Sequence, residues 1–197
     1  MAETTPALAR THPFADPEQL RELTAGHVSV RPFVAMVVVR AASGSAAARA
    51  AAEQLGVDLP TRSNTWVATG SGKVLWLGPD EWLVLDEHAA PWDLEASLRT
   101  RLAPVGGAAT DVSAQRVVLR LNGPHARDVL RSGTSLDVDP RSFPPGSCAQ
   151  VSLSQAGVVL LALSERGDDF EVLVRTSFAG YLAAWLADAC LEFRPLG

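Results

Sequence analysis

The chain has 197 residues, 47% of them hydrophobic and 20% charged, which supplies a core of ordinary size and makes wholesale disorder an unsuitable description. A net charge of -5 argues against a nucleic-acid binder, which would present a basic face. No apolar run approaches the roughly 18 to 20 residues needed to cross a bilayer.

The first six residues, Met1-Ala-Glu-Thr-Thr-Pro6, lack the basic-then-apolar pattern of a signal peptide. With only Cys148 and Cys190, a disulfide framework is not expected, and the economical reading is a cytoplasmic chain with two reduced thiols. Lys73 is the one lysine, so basic residues are almost all Arg. Arg suits desolvated pairing at interfaces, although genomic base composition produces the same bias.

Residues 1–32 read as an arm with one local helix. Asp16 is placed to cap it, Pro17 occupies the first helical position and Gly26 ends it. Leu20 and Leu23 are too few to fold alone, so the arm lies on its own globule or on another chain. The apolar run Phe33 to Arg40 is expected as a strand covered on both faces. Ala46 to Leu55 is an alanine-rich helix ended by Gly56. Strands at Thr65 to Thr69 and Lys73 to Leu77 flank a Gly70-Ser-Gly72 turn, and a third follows Gly78-Pro-Asp80 at Glu81 to Leu85. Pro91 to Leu102 is helical, with Leu94, Leu98 and Leu102 on one face.

The second half repeats this order. Arg116 to Leu121 is a strand with Val117, Leu119 and Leu121 on one face and Arg116, Val118 and Arg120 on the other. A helix is expected over Pro124 to Arg131, with Gly133 as its stop. A Pro- and Gly-rich loop from Asp139 to Gly146 leads to strands at Cys148 to Leu153, Val158 to Leu163 and Phe170 to Val174. Ser177 is placed to cap a closing helix whose stripe is Phe178, Leu182 and Trp185. Corresponding elements lie about 80 to 90 residues apart. The expectation is an α+β body of two strand-helix-strand-strand-strand-helix halves with mainly antiparallel sheets, residues 33–104 and 105–197, forming one compact unit behind the arm.

Candidate chemistry is sparse. Gly70-Ser-Gly-Lys73 fails the phosphate-loop pattern because Val67 and Val74 stand where Gly and Ser or Thr are required. Arg166-Gly-Asp168 reads as a turn. His12, His27, His88 and His125 show no metal-ligand spacing. Cys148 and Cys190 sit in apolar contexts, as inert core thiols do. Neither a G-x-S-x-G elbow nor a strand-linked G-x-G-x-x-G is present. Asp80, Glu81 and Asp111 are acidic candidates whose turn and capping roles are the simpler reading. Trp66, Trp76 and Trp82 lie on successive strands, where they line a pocket or, more ordinarily, build core or interface. No catalytic set emerges, which points to binding or scaffolding.

Three stretches together resemble one family: LGPDEWLVL (Leu77 to Leu85), DVSAQRVVLRLNGPHARDVL (Asp111 to Leu130) and FEVLVRTSFAGYLAAWL (Phe170 to Leu186). With the intervening SLDVDPRSFPPGSCAQ (Ser135 to Gln150), they look like the gamma subunit of heterotetrameric sarcosine oxidase over about residues 34–190. The resemblance implies the aminomethyltransferase-like folate-binding fold. It also implies membership of a complex that demethylates sarcosine to glycine, yielding hydrogen peroxide and methylene-tetrahydrofolate. The family places NAD and tetrahydrofolate on the alpha subunit, FAD and FMN on beta and zinc on delta, with gamma docked most directly on alpha. It therefore implies no catalytic, cofactor-binding or metal residue in this chain. The rival is a stand-alone folate-binding aminomethyltransferase-like protein. Against it, the glycine-rich RTGYTGEDGFE loop is replaced by LSERGDDFE (Leu163 to Glu171), and the KGCYxGQ signature of related folate proteins is missing.

Overall fold

The computed structural model describes residues 13, 14 and 16–194; the signal-peptide reading of Met1 to Pro6 and His12 fall outside them. In the arm, α1 (Pro17–Leu23) starts where Asp16 accepts the Glu18 and Gln19 amides at 3.0 and 3.1 Å. It is followed by β1 (Val28–Val30), a strand that the sequence did not announce. The first half comprises β2 (Ala35–Arg40), α2 (Ala46–Leu55), β3 (Trp66–Ala68), β4 (Gly72–Gly78), β5 (Glu81–Asp86) and α3 (Pro91–Leu102). A second unannounced strand, β6 (Ala108–Asp111), leads to β7 (Arg116–Asn122), α4 (Ala126–Arg131), β8 (Cys148–Leu153), β9 (Ala156–Ala162), β10 (Asp169–Arg175) and α5 (Ala179–Ala189).

Two five-stranded sheets result, ordered β3-β4-β5-β2-β6 and β1-β7-β10-β9-β8, with antiparallel pairing throughout. The α+β expectation and the repeat of architecture both hold. The sequence reading lacked the exchange of edges. β1 precedes the first half yet pairs with β7 of the second, and β6 opens the second half yet pairs with β2 of the first. The described part of the arm thus lies on its own globule, with Phe14, Leu20 and Val28 buried among the side chains of the second sheet and its helices.

Strand alternation divides the apolar residues into three layers. Val37, Val39, Val74, Trp82 and Val84 face α2 and α3. Val117, Leu119, Leu160, Val172 and Val174 face α1, α4 and α5. Between the sheets, Met36, Leu75, Leu83 and Leu85 meet Val118, Val159, Leu161 and Leu173. The fold is therefore helix, sheet, sheet, helix. The sheets are also stitched at one edge, where the Cys148 amide donates to Asn64 O at 2.9 Å and the Trp66 amide to Gly146 O at 2.8 Å.

Three local expectations need correction. α4 begins at Ala126, because Gly123 turns the chain at φ 112° and Pro124-His125 complete the turn before helical bonding starts. Gly133 is not a left-handed stop. A Cβ there would lie 2.4 Å from Cζ2 of Trp185, so close packing of α5 demands glycine. Ser177 does not cap α5 either. It lies inside a 3₁₀ turn, Thr176–Phe178, and this turn leaves Phe178 42% exposed, outside the expected apolar stripe.

Gly133→Ala forces this contact to yield and is expected to lower unfolding free energy by about 1 to 3 kcal/mol, the usual cost of overpacking. Urea titration followed by tryptophan fluorescence measures it; an unchanged midpoint would show that the Trp185 ring moves aside freely.

Candidate functional site

Two regions gather polar chemistry. The first is a cleft of about 410 Å³ between α2, α3 and the β3–β4 turn, lined among others by Gln54, Ser71, Asp86, Asp93 and Ser97. Burial opposes ionisation of Asp86. Hydrogen bonds from the Ser71 hydroxyl and from the Ala89 and His88 amides outweigh that penalty and hold the carboxyl below its ordinary value. The carboxylate thus spends its acceptor capacity on its own loop. Lys73, the cation of the rejected phosphate-loop match, points away to the other face of the sheet. A phosphate in this cleft would meet Asp86 and Asp93 and no lysine.

The second region closes one end of the layer between the sheets. Glu171, with a side chain only 5% exposed, receives Lys73 Nζ at 3.1 Å and lies 4.0 Å from Arg31 Nε. Arg31 also pairs with Glu87 at 2.8 Å. Beside them Arg120 makes a two-pronged pair with Asp169 at 2.9 and 2.6 Å, and this hydrogen bonding raises the Arg120 pKa. Three cations face three carboxylates. The cluster balances its own charge and leaves no anion or cation spare.

The sequence candidates disperse. Asp80 sits in the β4–β5 turn, where its carbonyl accepts the Ala41 amide. Glu81 pairs with Arg40. Asp111 holds the amide and hydroxyl of Ser113, whose Oγ in turn accepts the Met36 amide at 2.8 Å, so the pair fastens β6 to β2. The tryptophans do not line one pocket. Trp76 and Trp82 are cross-strand neighbours on the helix side, with Trp82 Nε1 donating to Pro60 O at 2.8 Å. Trp66 packs on the inter-sheet side, with Lys73 Nζ 5.8 Å from its ring centroid.

The thiols are buried, and burial pushes both up to about 11, although Arg194 near Cys190 draws that one back somewhat. His27 and His125 stand far apart in the chain, yet their rings approach edge-on at 5.8 Å, and His125 stacks on Phe193 at 4.4 Å. That meeting depends on the β1–β7 pairing, which no local pattern signals. Among the described residues, no three His, Cys, Asp or Glu side chains converge as a metal would require. No helix among them is long and apolar enough to cross a membrane.

The comparisons with known proteins agree with one another. The sequence matches the sarcosine oxidase, gamma subunit family over residues 40–192. It is 38% identical to sarcosine oxidase subunit gamma of Corynebacterium sp. (strain P-1), over 86% of this chain and 83% of that one. It is 37% identical to the corresponding subunit of an Arthrobacter species, with the same coverage. The fold superposes on a chain of heterotetrameric sarcosine oxidase from Corynebacterium sp. U-96, solved with pyrrole 2-carboxylate, with a TM-score of 0.84 and 33% identity over 95% of this chain and 98% of that one. Aminomethyltransferase T of the glycine cleavage system from Bartonella henselae shares the fold alone, with a TM-score of 0.59 and 16% identity over 85% of this chain and 48% of that one.

Two outcomes test this description of the site. Glu171→Ala strands buried positive charge and is expected to cost about 3 to 5 kcal/mol of stability, whereas Glu18→Ala on exposed α1 changes it by less than about 1 kcal/mol. Equal effects in a denaturant titration would refute the ion-pair assignment. A thiol of pKa about 11 is about 0.1% thiolate at pH 8. Neither cysteine should then react with a thiol-specific disulfide reagent until denaturant is added; fast labelling of the folded chain would contradict this burial.

Proposed function

The chain belongs to the sarcosine oxidase gamma subunit family, and from that membership we propose that it is a non-catalytic, stabilising subunit of a heterotetrameric oxidase that demethylates sarcosine to glycine. The observation that carries this reading is the end-to-end correspondence with a chain of such a heterotetramer, 95% of this chain against 98% of that one. The disposition of polar groups supports it. Asp86, Glu171 and Asp111 are each engaged in hydrogen bonds or ion pairs that hold loops and sheets together. A group that must bind substrate or move a proton needs an acceptor or donor left over for it.

On this reading the flavins, NAD, zinc and tetrahydrofolate are held by the other subunits, and the alpha subunit is the direct neighbour. The assembly acts in the cytoplasm, with hydrogen peroxide and methylene-tetrahydrofolate as products. The rival reading, a stand-alone folate-binding aminomethyltransferase, draws only on a shared fold at 16% identity.

Co-expression of the full chain with the other three subunits, followed by native mass spectrometry, is expected to give one complex containing this chain. Sarcosine-dependent peroxide formation should require the complex and be absent from the purified chain. Calorimetric titration of the purified chain with tetrahydrofolate should give no heat at high micromolar ligand. Amine turnover by the chain alone, or tight folate binding with no assembly, would reverse the assignment.

A further inference from the structure

At the end of the inter-sheet layer opposite the balanced cluster, charge is left over. Arg116 on β7 stands directly across from Arg175 on β10, in a register that places both side chains on the same face. Like charges set side by side destabilise a sheet unless an anion lies between them. Among the described residues no carboxylate comes within ion-pair distance of either guanidinium. Glu81 acts on Arg116 only through space and is itself engaged by Arg40. Burial, and then the field of Arg175, lowers the Arg116 pKa.

The two arginines line a cleft of about 330 Å³ with Gln150, Ser152, Gly157 and Val159. The space over Gly157 is open, since a Cβ built there meets nothing within 4 Å. Just past Arg175 in the chain, at the start of α5 on the other face of the sheet, Phe178 and Tyr181 are 42% and 40% exposed and in edge-to-face contact at 6.5 Å. Tyr181 Oη lies 2.7 Å from Ser154 Oγ at the β8–β9 turn, so the aromatic pair is fixed against the hairpin that carries Ser152 and Gly157. An arginine pair lining an open cleft, with exposed aromatic side chains at the same end of the sheet, is the composition of an interface anchor.

We propose that this end of the second sheet is a docking surface for a partner subunit of the oxidase, which inserts an Asp or Glu carboxylate between Arg116 and Arg175 while its apolar neighbours cover Phe178 and Tyr181. The inference rests on the reading of the chain as an assembled subunit and names the face that assembles. A guanidinium pair offers a carboxylate two-pronged hydrogen bonding that lysine would not. The exposed Phe178 and Tyr181 nearby favour a protein segment, which can cover them as well as the arginines, over a small free anion, which would leave them in water. Insertion also removes the repulsion that the free chain carries, so docking and folding make opposite demands on Arg175.

The test is competitive assembly. Wild-type and variant chains with different tags are co-expressed with the other three subunits, and their ratio in the purified complex is read by mass spectrometry. Arg175→Gln and Arg175→Glu are expected to fall at least about tenfold below wild type, the size of one lost charge-assisted hydrogen bond. Arg175→Lys should fall less, and Arg62→Glu, on an exposed loop elsewhere, should match wild type. The melting temperature of the soluble Arg175→Gln chain should equal or exceed wild type. Equal incorporation of Arg175→Glu and wild type would overturn the proposal. So would a melting temperature for Arg175→Gln that drops together with its incorporation, which would mark a structural role. Arginine-dependent stabilisation of the wild-type chain by inorganic phosphate, with incorporation of the variants unchanged, would mark a small-anion site and also overturn it. Failure of the wild-type chain to assemble would instead strike the subunit reading itself.

Discussion

The layer between the two sheets is the constraint on which the molecule depends. Its centre is aliphatic: Met36, Leu75, Leu83 and Leu85 from one sheet against Val118, Val159, Leu161 and Leu173 from the other. Full burial of such a side chain contributes about 1.5 to 3 kcal/mol. Glu171 lies on the same face two residues before Leu173, and Arg120 two residues after Val118. A one-residue slip of β10 would turn Glu171 toward the helix-side core, away from Lys73 and Arg31. The buried carboxylate therefore acts on register: it adds little net attraction, and it makes the wrong pairing expensive.

The exchange of edge strands extends that control to the whole chain. An edge strand left open invites pairing with another molecule. Here β1 covers β7 and β6 covers β2, so each half gives the other's sheet a short outer strand, and short outer strands offer little ladder to another molecule. Pulling the halves apart would expose the inter-sheet core and break both ladders at once. Thr24 reinforces the crossover, since its buried hydroxyl donates to Leu20 O at 2.8 Å and accepts the Val28 amide at 3.2 Å. The segment that looked like a loose arm in sequence is thereby committed to the second sheet.

Much of this was legible in the sequence because the signals are local. The cap at Asp16, the left-handed Gly56, the Pro91 start and the alternation of Val117, Leu119 and Leu121 each declare themselves within a few residues, whereas the Ser45 cap of α2 did not figure in the sequence pattern. β1 and β6 escaped notice because they are short: Val28-Ser-Val30 has strong strand formers over three residues only, and β6 lacks them. Ala108-Ala-Thr-Asp111 has no alternation of strong formers and exists because β2 offers it a ladder and α3 packs over it. Gly133 looked like a helix stop, and its actual constraint, Trp185 arriving from 52 positions away, had no local signal. Nor could the sequence distinguish Glu171, Lys73 and Arg31 from ordinary surface charges, since their meeting is set by how two sheets stack. Arg116 opening β7 and Arg175 closing β10 stand in the sequence for anyone to see; that they face one another required the register.

Where charge is satisfied and where it is not gives the last step. A cleft that performs chemistry must keep polar groups in reserve, at a cost in stability. In the α2–α3 cleft, Asp86 is committed to Ser71 and two amides, and at one end of the inter-sheet layer six charged groups answer one another. The reserve lies at the other end, in Arg116 and Arg175 beside a half-exposed aromatic pair. The chain thus retains the architecture of a fold shared with an aminomethyltransferase while its interior polar groups are turned to structure. Its unspent electrostatic energy is carried on an outer rim, where a neighbour can reach it and a small substrate would be poorly enclosed. Binding capacity concentrated in one open cleft at the end of a sheet, with Asp86 and the opposite cluster already engaged, suits a subunit held by its partners.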